Sequence, residues 1–139
     1  MTKQFIADRK RGNVGANIVK EKMEAKGARV NLVPDGFYAD YDLVGYHKGY
    51  AFCAEVKSDY RYKDTNNVAF EKEALEHSKT DIWFYVLDPE GKKEVHLIDR
   101  KKALEVAPRF RQGKFGEHSE TVMLVPYSVF KSQLSMGML

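Results

Sequence analysis

The chain has 139 residues, of which 43% are hydrophobic and 31% charged, the composition of one ordinary globular domain that is large enough to bury a core. No apolar run approaches the roughly 20 residues that span a bilayer, and the first segment, MTKQFIADRKRG, has no apolar stretch of the signal-peptide kind. The single cysteine, Cys53, excludes a disulfide within the chain and leaves no Cys/His spacing suited to zinc. We therefore expect one domain over 1–139 in a reducing, cytoplasmic compartment, no membrane partner, and Cys53 as a small buried hydrophobic residue.

Positive and negative charges are unevenly distributed around a net charge of +3. Residues 1–29 carry eight Lys or Arg against three acids (+5), whereas residues 30–59 carry two Lys against five acids (−3). A basic flank beside an acidic centre fits a polyanionic ligand that is held near a metal-binding site. A solvated helix face beside acidic loops explains the same charges, so charge alone does not choose between them.

Helices and strands are predicted in an alternating order. The two runs YAFCAEV and DIWFYVL are apolar on both faces, which is typical of central strands covered on both sides. The fold class is therefore α/β, with a central mixed β-sheet flanked by helices. In chain order, the predicted elements are a helix over 12–26 that ends at Gly27, strands over 28–33, 42–46 and 50–57, a loop over 58–67, a strand over 68–73, a short helix over 74–80, strands over 81–87 and 94–98, a helix over 99–107, a basic loop over 109–119, a strand over 121–125 and a helix over 126–134.

The second and third predicted strands form a hairpin whose turn fixes their register. Lys48-Gly49 suits a two-residue type I′ loop, because that turn needs a positive φ at its second position. With this loop, His47 pairs with Tyr50. A three-residue loop is the alternative, and it would place Asp42 on the opposite face of the sheet.

In the two-residue register, Glu55 lies opposite Asp42, and Lys57 lies opposite Asp40. Side-chain alternation puts Glu55 and Lys57 on one face. Opposed carboxylates destabilise a sheet unless a cation separates them, and Mg²⁺ held by one or two carboxylates, with water and phosphate oxygens, fits this arrangement. Lys57 would then reach the attacking water or the transition-state charge on a phosphate. A same-face Glu55–Lys57 ion pair at a fraying strand end remains the alternative.

These residues resemble the motif of the PD-(D/E)xK nuclease superfamily. The pieces are Asp42 in ADYDLVGY and Glu55-Val56-Lys57 in CAEVKSDY. The segment GNVGANIVKEKMEAKGARV is similar to the first helix and strand of junction-resolving and phage-type members. The segments VKSDYRYKDTNNVAFE and SKTDIWFYVLD are similar to the following loop and core strand of small phage nucleases. The similarity covers about residues 12 to 100.

The resemblance implies a restriction-endonuclease-like fold with an αβββαβ core, and hydrolysis of DNA phosphodiesters with Mg²⁺ or Mn²⁺. It implies that Asp42 and Glu55 hold the metal through their side chains and Val56 through its carbonyl, while Lys57 positions or activates water. The literal Pro34-Asp35 pair falls in a turn before the strand, so Asp42 is the preferred ligand.

The first helix departs from the pattern of many relatives, which carry a glutamate in a G-x-x-G-E sequence. This chain has Ala16 at that place, after Gly12-Asn13-Val14-Gly15. Asn17 or Glu21 would substitute for the glutamate, or the site uses fewer protein ligands, or catalysis is weak or absent. Glu71, which matches a position near the cleft of phage-type relatives, is a further auxiliary candidate.

Clusters of basic and aromatic residues are the candidate DNA contacts. Basic side chains contact phosphates without reading sequence, and aromatic side chains stack on bases or pack against the backbone. Ordinary solvated charge explains each basic residue equally well. The candidates are Lys10, Arg11, Asn13, Tyr60, Arg61, Lys63, Asn67, Arg109, Arg111 and Lys114.

The sequence thus favours a small metal-dependent DNA endonuclease, with branched or structured DNA as one candidate substrate and a homodimer as one option. Two alternatives remain: a non-catalytic DNA-binding module that keeps the nuclease fold, and an exonuclease or repair nuclease that acts on ends.

Overall fold

The computed structural model describes residues 3–34, 40–115 and 120–139, and for 3–13 and 115 it describes the backbone alone. The helices are α1 (Lys3–Ala25), α2 (Tyr62–Thr65), α3 (Lys72–His77), α4 (Arg100–Val106) and α5 (Tyr127–Val129), with a 3₁₀ turn over Ala107–Arg109 after α4 and a π-helical turn over Phe130–Leu134 after α5. The strands are β1 (Arg29–Leu32), β2 (Leu43–His47), β3 (Tyr50–Asp59), β4 (Asn67–Glu71), β5 (Ile82–Leu87), β6 (Glu94–Asp99), β7 (Arg111–Phe115), β8 (Glu120–Pro126) and β9 (Ser135–Met138).

A six-stranded mixed sheet, in the order β1-β2-β3-β5-β6-β9, forms the centre of the molecule. Strands β3 and β5 pair in parallel, and the other neighbours are antiparallel. A second sheet of three antiparallel strands has the order β4-β8-β7. The predicted α/β class with a mixed central sheet flanked by helices is confirmed.

Helix α1 covers one face of the central sheet. Its buried residues Ile18, Val19 and Met23 pack on a core that includes Leu43 and Phe84. The helix begins well before the predicted residue 12, and it ends where Gly27 adopts a φ of 93°. Glycine takes this left-handed conformation at little cost, so the predicted stop is confirmed.

The small sheet, together with α3, α4 and the C-terminal turns, covers the other face. This second core joins Trp83 and Tyr85 of β5 to Phe70 of β4, Met123 of β8 and Phe130. Strand β5 therefore contributes alternate residues to both cores, as its two apolar faces predicted.

Three expectations were wrong. The predicted loop over 58–67 contains the end of β3 and the short helix α2, because Asp59 still pairs with Leu87 of β5 and its side chain accepts the first N–H groups of the α2 turn. The predicted basic loop over 109–119 contains β7, whose charged residues are typical of an edge strand that must not pair with another chain. Cys53 is exposed rather than buried, and so is its cross-strand partner Val44, because that face of the hairpin is uncovered there. Strand β9, at the edge of the central sheet, was not predicted.

None of the helices in the described part of the chain combines the length and hydropathy needed to cross a membrane.

Candidate active site

The turn between β2 and β3 is the two-residue loop that the sequence predicted. Lys48 and Gly49 have φ values of 50° and 84°, the two positive angles that a type I′ turn requires. The ladder runs from His47↔Tyr50 to Leu43↔Ala54. The predicted register is confirmed, and the alternative of a three-residue loop is wrong.

Asp42 lies one residue before this ladder, beside the edge of β3. Its backbone N–H donates to the Ala54 carbonyl at 2.9 Å, and its Oδ2 accepts the N–H of Val56 at 2.7 Å. The N–H and C=O of one strand residue point to the same side, so the Val56 carbonyl also faces the Asp42 edge. The structure thus brings the Asp42 carboxylate and the Val56 carbonyl together.

Glu55 and Lys57 lie on one face of β3, half-buried. The Lys57 Nζ is 3.4 Å from Oε2 of Glu55 and 5.2 Å from the ring centroid of Trp83. The strand does not fray here, because β3 pairs with β5 through Asp59. The same-face ion pair is therefore real, but it sits within a paired strand. The ladder with β2 begins at Leu43, so it contains neither the expected Asp42–Glu55 pair nor the expected Asp40–Lys57 pair.

The environment of Asp42 disfavours its negative charge. Burial raises the pKa of the Asp42 carboxyl, and the nearby Glu55 raises it further. The Val56 N–H and the Lys57 ammonium oppose this shift, and the net pKa is raised. The Asp42 and Glu55 carboxylates are therefore close enough to repel each other.

This donor set fits a hard divalent cation. It offers two carboxylates and one backbone carbonyl, and Mg²⁺ is bound in proteins by one or two carboxylates with its remaining positions left to water and phosphate. No cluster of three or more His, Cys, Asp or Glu side chains suited to a metal occurs in the part of the chain that the structure describes. A cation at this edge would therefore depend on Asp42, Glu55 and the Val56 carbonyl.

Two adjoining clefts open at this edge. The first has a volume of about 490 Å³ and contains Asp42, Glu55, Val56 and Lys57 among its lining residues. The second, of about 700 Å³, shares Glu55 with the first and extends to Glu71. The second cleft thus connects the central sheet to the small sheet.

Glu71, an auxiliary candidate, lies within electrostatic reach of Lys57. Desolvation raises the pKa of Glu71, the Lys57 charge opposes that rise, and Glu120 adds to it through its charge and a hydrogen bond. The structure therefore places Glu71 beside the site residues.

Helix α1 contributes little to these clefts. Gly15 packs against β3 so closely that a Cβ built there would meet Ser58. Ala16 is buried, whereas Asn17 and Glu21 are exposed and do not line the first cleft in the described structure.

The candidate DNA contacts are spread over several elements. Arg61 is exposed, Lys63 pairs with Asp88 at 3.3 Å, and Asn67 donates to the Thr65 carbonyl at 3.2 Å. Tyr60 is half-buried.

The basic candidates near the small sheet are all exposed. Arg109 pairs with Glu105 at 3.7 Å, while Arg111 and Lys114 lie on β7. The side chains of Lys10, Arg11 and Asn13 lie outside the described residues, as does Asp35.

Two residues at the site were missed. Ser78 donates to Oε1 of Glu55 at 2.6 Å and accepts from Nε1 of Trp83 at 3.1 Å. Trp83 belongs to the apolar run DIWFYVL, which predicts a central strand, and Ser78 is not among the predicted site residues. A signal was present, since a buried tryptophan needs a partner for its N–H and SKTD immediately precedes β5.

Comparisons with known proteins give a shared fold. The bacterial homing endonuclease I-Ssp6803I superposes with a TM-score of 0.55 at 17% identity, over 82% of this chain and 72% of that one. D212, a nuclease from a fusselovirus, superposes with a TM-score of 0.47 at 15% identity, over 92% of this chain and 86% of that one. No protein-family model and no curated protein matches the chain. The fold is therefore of the kind seen in the homing endonuclease.

Proposed function

We propose that this protein is a Mg²⁺- or Mn²⁺-dependent deoxyribonuclease that cuts DNA internally, a member of the PD-(D/E)xK type. The observation that carries the proposal is the register of the β2–β3 hairpin. It brings Asp42, Glu55 and Lys57 to one open edge of β3, beside the Val56 carbonyl. That combination of acids, carbonyl and lysine suits phosphodiester hydrolysis.

The proposed roles follow from these contacts. Asp42, Glu55 and the Val56 carbonyl would hold the divalent ion, and Glu71 would act at the margin of the site. When bound, the ion supplies a Lewis acid that lowers the pKa of water and offsets phosphate charge. Lys57, held beside Glu55, would hold the attacking water or stabilise the negative charge that develops on the phosphate.

The fold supports the proposal by analogy alone. The protein with TM-score 0.55 is named a homing endonuclease, and nuclease chemistry on that fold raises the expectation of it here. Branched or structured DNA remains the candidate substrate. One proposed active site per chain would cut one strand, so a homodimer would be needed for paired cuts.

Plasmid cleavage tests the proposal. Purified protein is incubated with supercoiled plasmid and with four-way junctions, with Mg²⁺, with Mn²⁺ and with EDTA. We expect metal-dependent nicking that Lys57→Ala abolishes and that Lys102→Ala, an exposed lysine on α4, retains. Supercoiled plasmid has no ends, so its cleavage also excludes a pure exonuclease.

A non-catalytic DNA-binding module is the second candidate, because Ala16 stands where many nucleases of this type have a glutamate. The same assay separates the two. Salt-sensitive binding of DNA without cutting in either metal would favour the module, whereas cutting that depends on Lys57 would overturn it.

A further inference from the structure

Ser78 connects the Glu55 carboxylate to the protein core. Its Oγ lies 2.6 Å from Oε1 of Glu55, 3.1 Å from Nε1 of Trp83 and 3.3 Å from the backbone N of Thr80. Both nitrogens can only donate, so the hydroxyl oxygen accepts from them. The hydroxyl hydrogen has three acceptors in reach, and the Glu55 carboxylate is charged and closer than the Thr80 carbonyl at 3.2 Å and the Thr80 hydroxyl at 3.4 Å. Ser78 therefore donates to Glu55.

Trp83 contacts Lys57 directly and is connected to Glu55 through Ser78. The parallel β3–β5 ladder pairs Glu55 with Trp83, which places the indole on the same face as the two charged residues. The side chain is fully buried, and its N–H is bonded to Ser78. Its ring lies 5.2 Å from the Lys57 Nζ, within the range of a cation–π contact.

We propose that Trp83 and Ser78 are positioning residues that orient Glu55 and Lys57 for DNA cleavage; this rests on the proposed function. Ser78 holds one oxygen of Glu55, and Lys57 lies 3.4 Å from the other. A carboxylate has roughly four lone-pair sites, so both oxygens keep room for a divalent ion. The indole orients the Ser78 hydroxyl through its N–H and places the Lys57 ammonium over its ring.

The contacts of Ser78 and Trp83 restrict the motion of the Glu55 and Lys57 side chains. A ligand carboxylate and a lysine must be held close to their productive geometry, and groups that hydrogen-bond to metal ligands commonly supply this. Trp83 is fully buried in the core between the two sheets, so a contact with it attaches a flexible side chain to the packed interior.

Intrinsic fluorescence tests the contacts without metal or DNA, because Trp83 is the sole tryptophan of the chain. Ser78→Ala removes the acceptor of the indole N–H, so we expect a shifted emission maximum, and Ser78→Thr should restore it. Lys57→Met removes a cation from the ring and should change the emission intensity. Ser128→Ala, an exposed serine on α5, should leave the spectrum unchanged. Wild-type spectra for both Ser78→Ala and Lys57→Met would overturn the proposal.

Kinetics test the positioning role. We expect Ser78→Ala to lower kcat by about 10–100-fold with KM for DNA unchanged, as for other partners of metal ligands, and Ser78→Thr to recover it. Trp83→Phe keeps a ring but loses the N–H, so the Ser78→Ala/Trp83→Phe double variant should be no slower than the slower single variant. The proposal would be overturned if the losses in kcat of the two single variants multiplied in the double variant. An unchanged kcat in Ser78→Ala would overturn it as well. If the wild type cuts no DNA, the proposed function fails, and the spectra still decide the positioning contacts.

Discussion

Asp42 and Glu55 carry like charges close together. We therefore expect the Asp42 carboxylate, which suits metal binding, to lower the free energy of unfolding when no metal is bound. Burial and Glu55 raise the pKa of Asp42, which means that the fold disfavours its ionised form. Asn at this position would still accept the Val56 N–H but carries no charge. We predict that Asp42→Asn raises Tm by roughly 2–5 °C in metal-free buffer, about 1 kcal/mol, and abolishes cleavage. Scanning calorimetry and the plasmid assay measure the two effects.

Asp40→Asn is the matched control, because it removes the same charge from an exposed position before the ladder. Its Tm should equal that of the wild type. A lower Tm for Asp42→Asn would show that the hydrogen bond to Val56 outweighs the repulsion.

The sequence predicted that Asp42, Glu55 and Lys57 lie close together because one local feature, the Lys48-Gly49 turn, determines the register of the hairpin. Ser78 and Trp83 have no such local rule. Their contact with Glu55 depends on the parallel pairing of β3 with β5, and on how α3 ends. Parallel pairing joins segments that are distant in sequence, so its register cannot be read from a turn.

At the scale of elements, α1 and β3 meet at a tight contact. A Cβ on Gly15 would clash with the Ser58 Oγ, which is buried and makes no hydrogen bond within the described structure. Overpacking costs about 1–3 kcal/mol, which exceeds the gain of about 1 kcal/mol in helix propensity. We predict that Gly15→Ala destabilises the protein, measured by urea unfolding.

Ser58→Ala provides the control for this prediction. It removes the clashing oxygen and an unsatisfied hydroxyl, so it should stabilise the protein by about 1 kcal/mol. In that background Gly15→Ala should become neutral or stabilising. If Gly15→Ala costs the same in both backgrounds, the Ser58 contact is not the cause.

A buried polar network attaches the C-terminal segment to β6. Oε2 of Glu94 accepts from the Tyr127 hydroxyl at 2.6 Å and lies 2.8 Å from Nε2 of His96, whose Nδ1 is 2.7 Å from the Ser135 Oγ. Burial alone would raise the pKa of Glu94, but these hydrogen bonds outweigh it, and the pKa falls below its ordinary value of 4.5. The network therefore stabilises the fold above that pH.

The pH dependence of stability tests this network. A carboxyl whose pKa is lowered by folding contributes stability that is present above pH 4.5 and is lost as the pH falls through the folded pKa. We predict that Glu94→Gln is less stable than the wild type by roughly 2–3 kcal/mol at pH 7, and that the gap narrows below pH 4.5. Urea unfolding from pH 7 to pH 3 measures it, and a gap independent of pH would contradict the assignment.

The strands that escaped prediction are short edge strands, and the one helix that escaped it, α2, has a single turn. The RQGKF segment of β7 is rich in charge and contains glycine, a composition that is typical of a loop. It forms a strand because it pairs with β8. SMGM of β9 pairs with β6 near the Ser135–His96 contact. For both, the tertiary partner decides the structure and local propensity does not.

At the scale of the whole molecule, the candidate site lies between two sheets. The wider cleft is lined by Glu55 of the central sheet and by Glu71 and Glu120 of the small one. A long polyanion that reaches Lys57 and follows this cleft would run along the end of the small sheet as well. Basic residues at that end should bind it, and basic residues at the far end should not.

Lys114 and Arg109 occupy these two ends, so they separate the cleft from general surface charge. The cross-strand partner of Lys114 is Thr121, which lines the wider cleft, whereas Arg109 precedes β7 and pairs with Glu105. Each phosphate contact contributes about 0.9 to the slope of log K against log salt. We predict that Lys114→Ala lowers the slope for duplex DNA by about that amount in metal-free buffer, and that Arg109→Ala leaves it unchanged. Fluorescence anisotropy across a salt series measures both slopes. Equal losses in the two variants would mean that DNA follows the net charge of the surface and not the cleft.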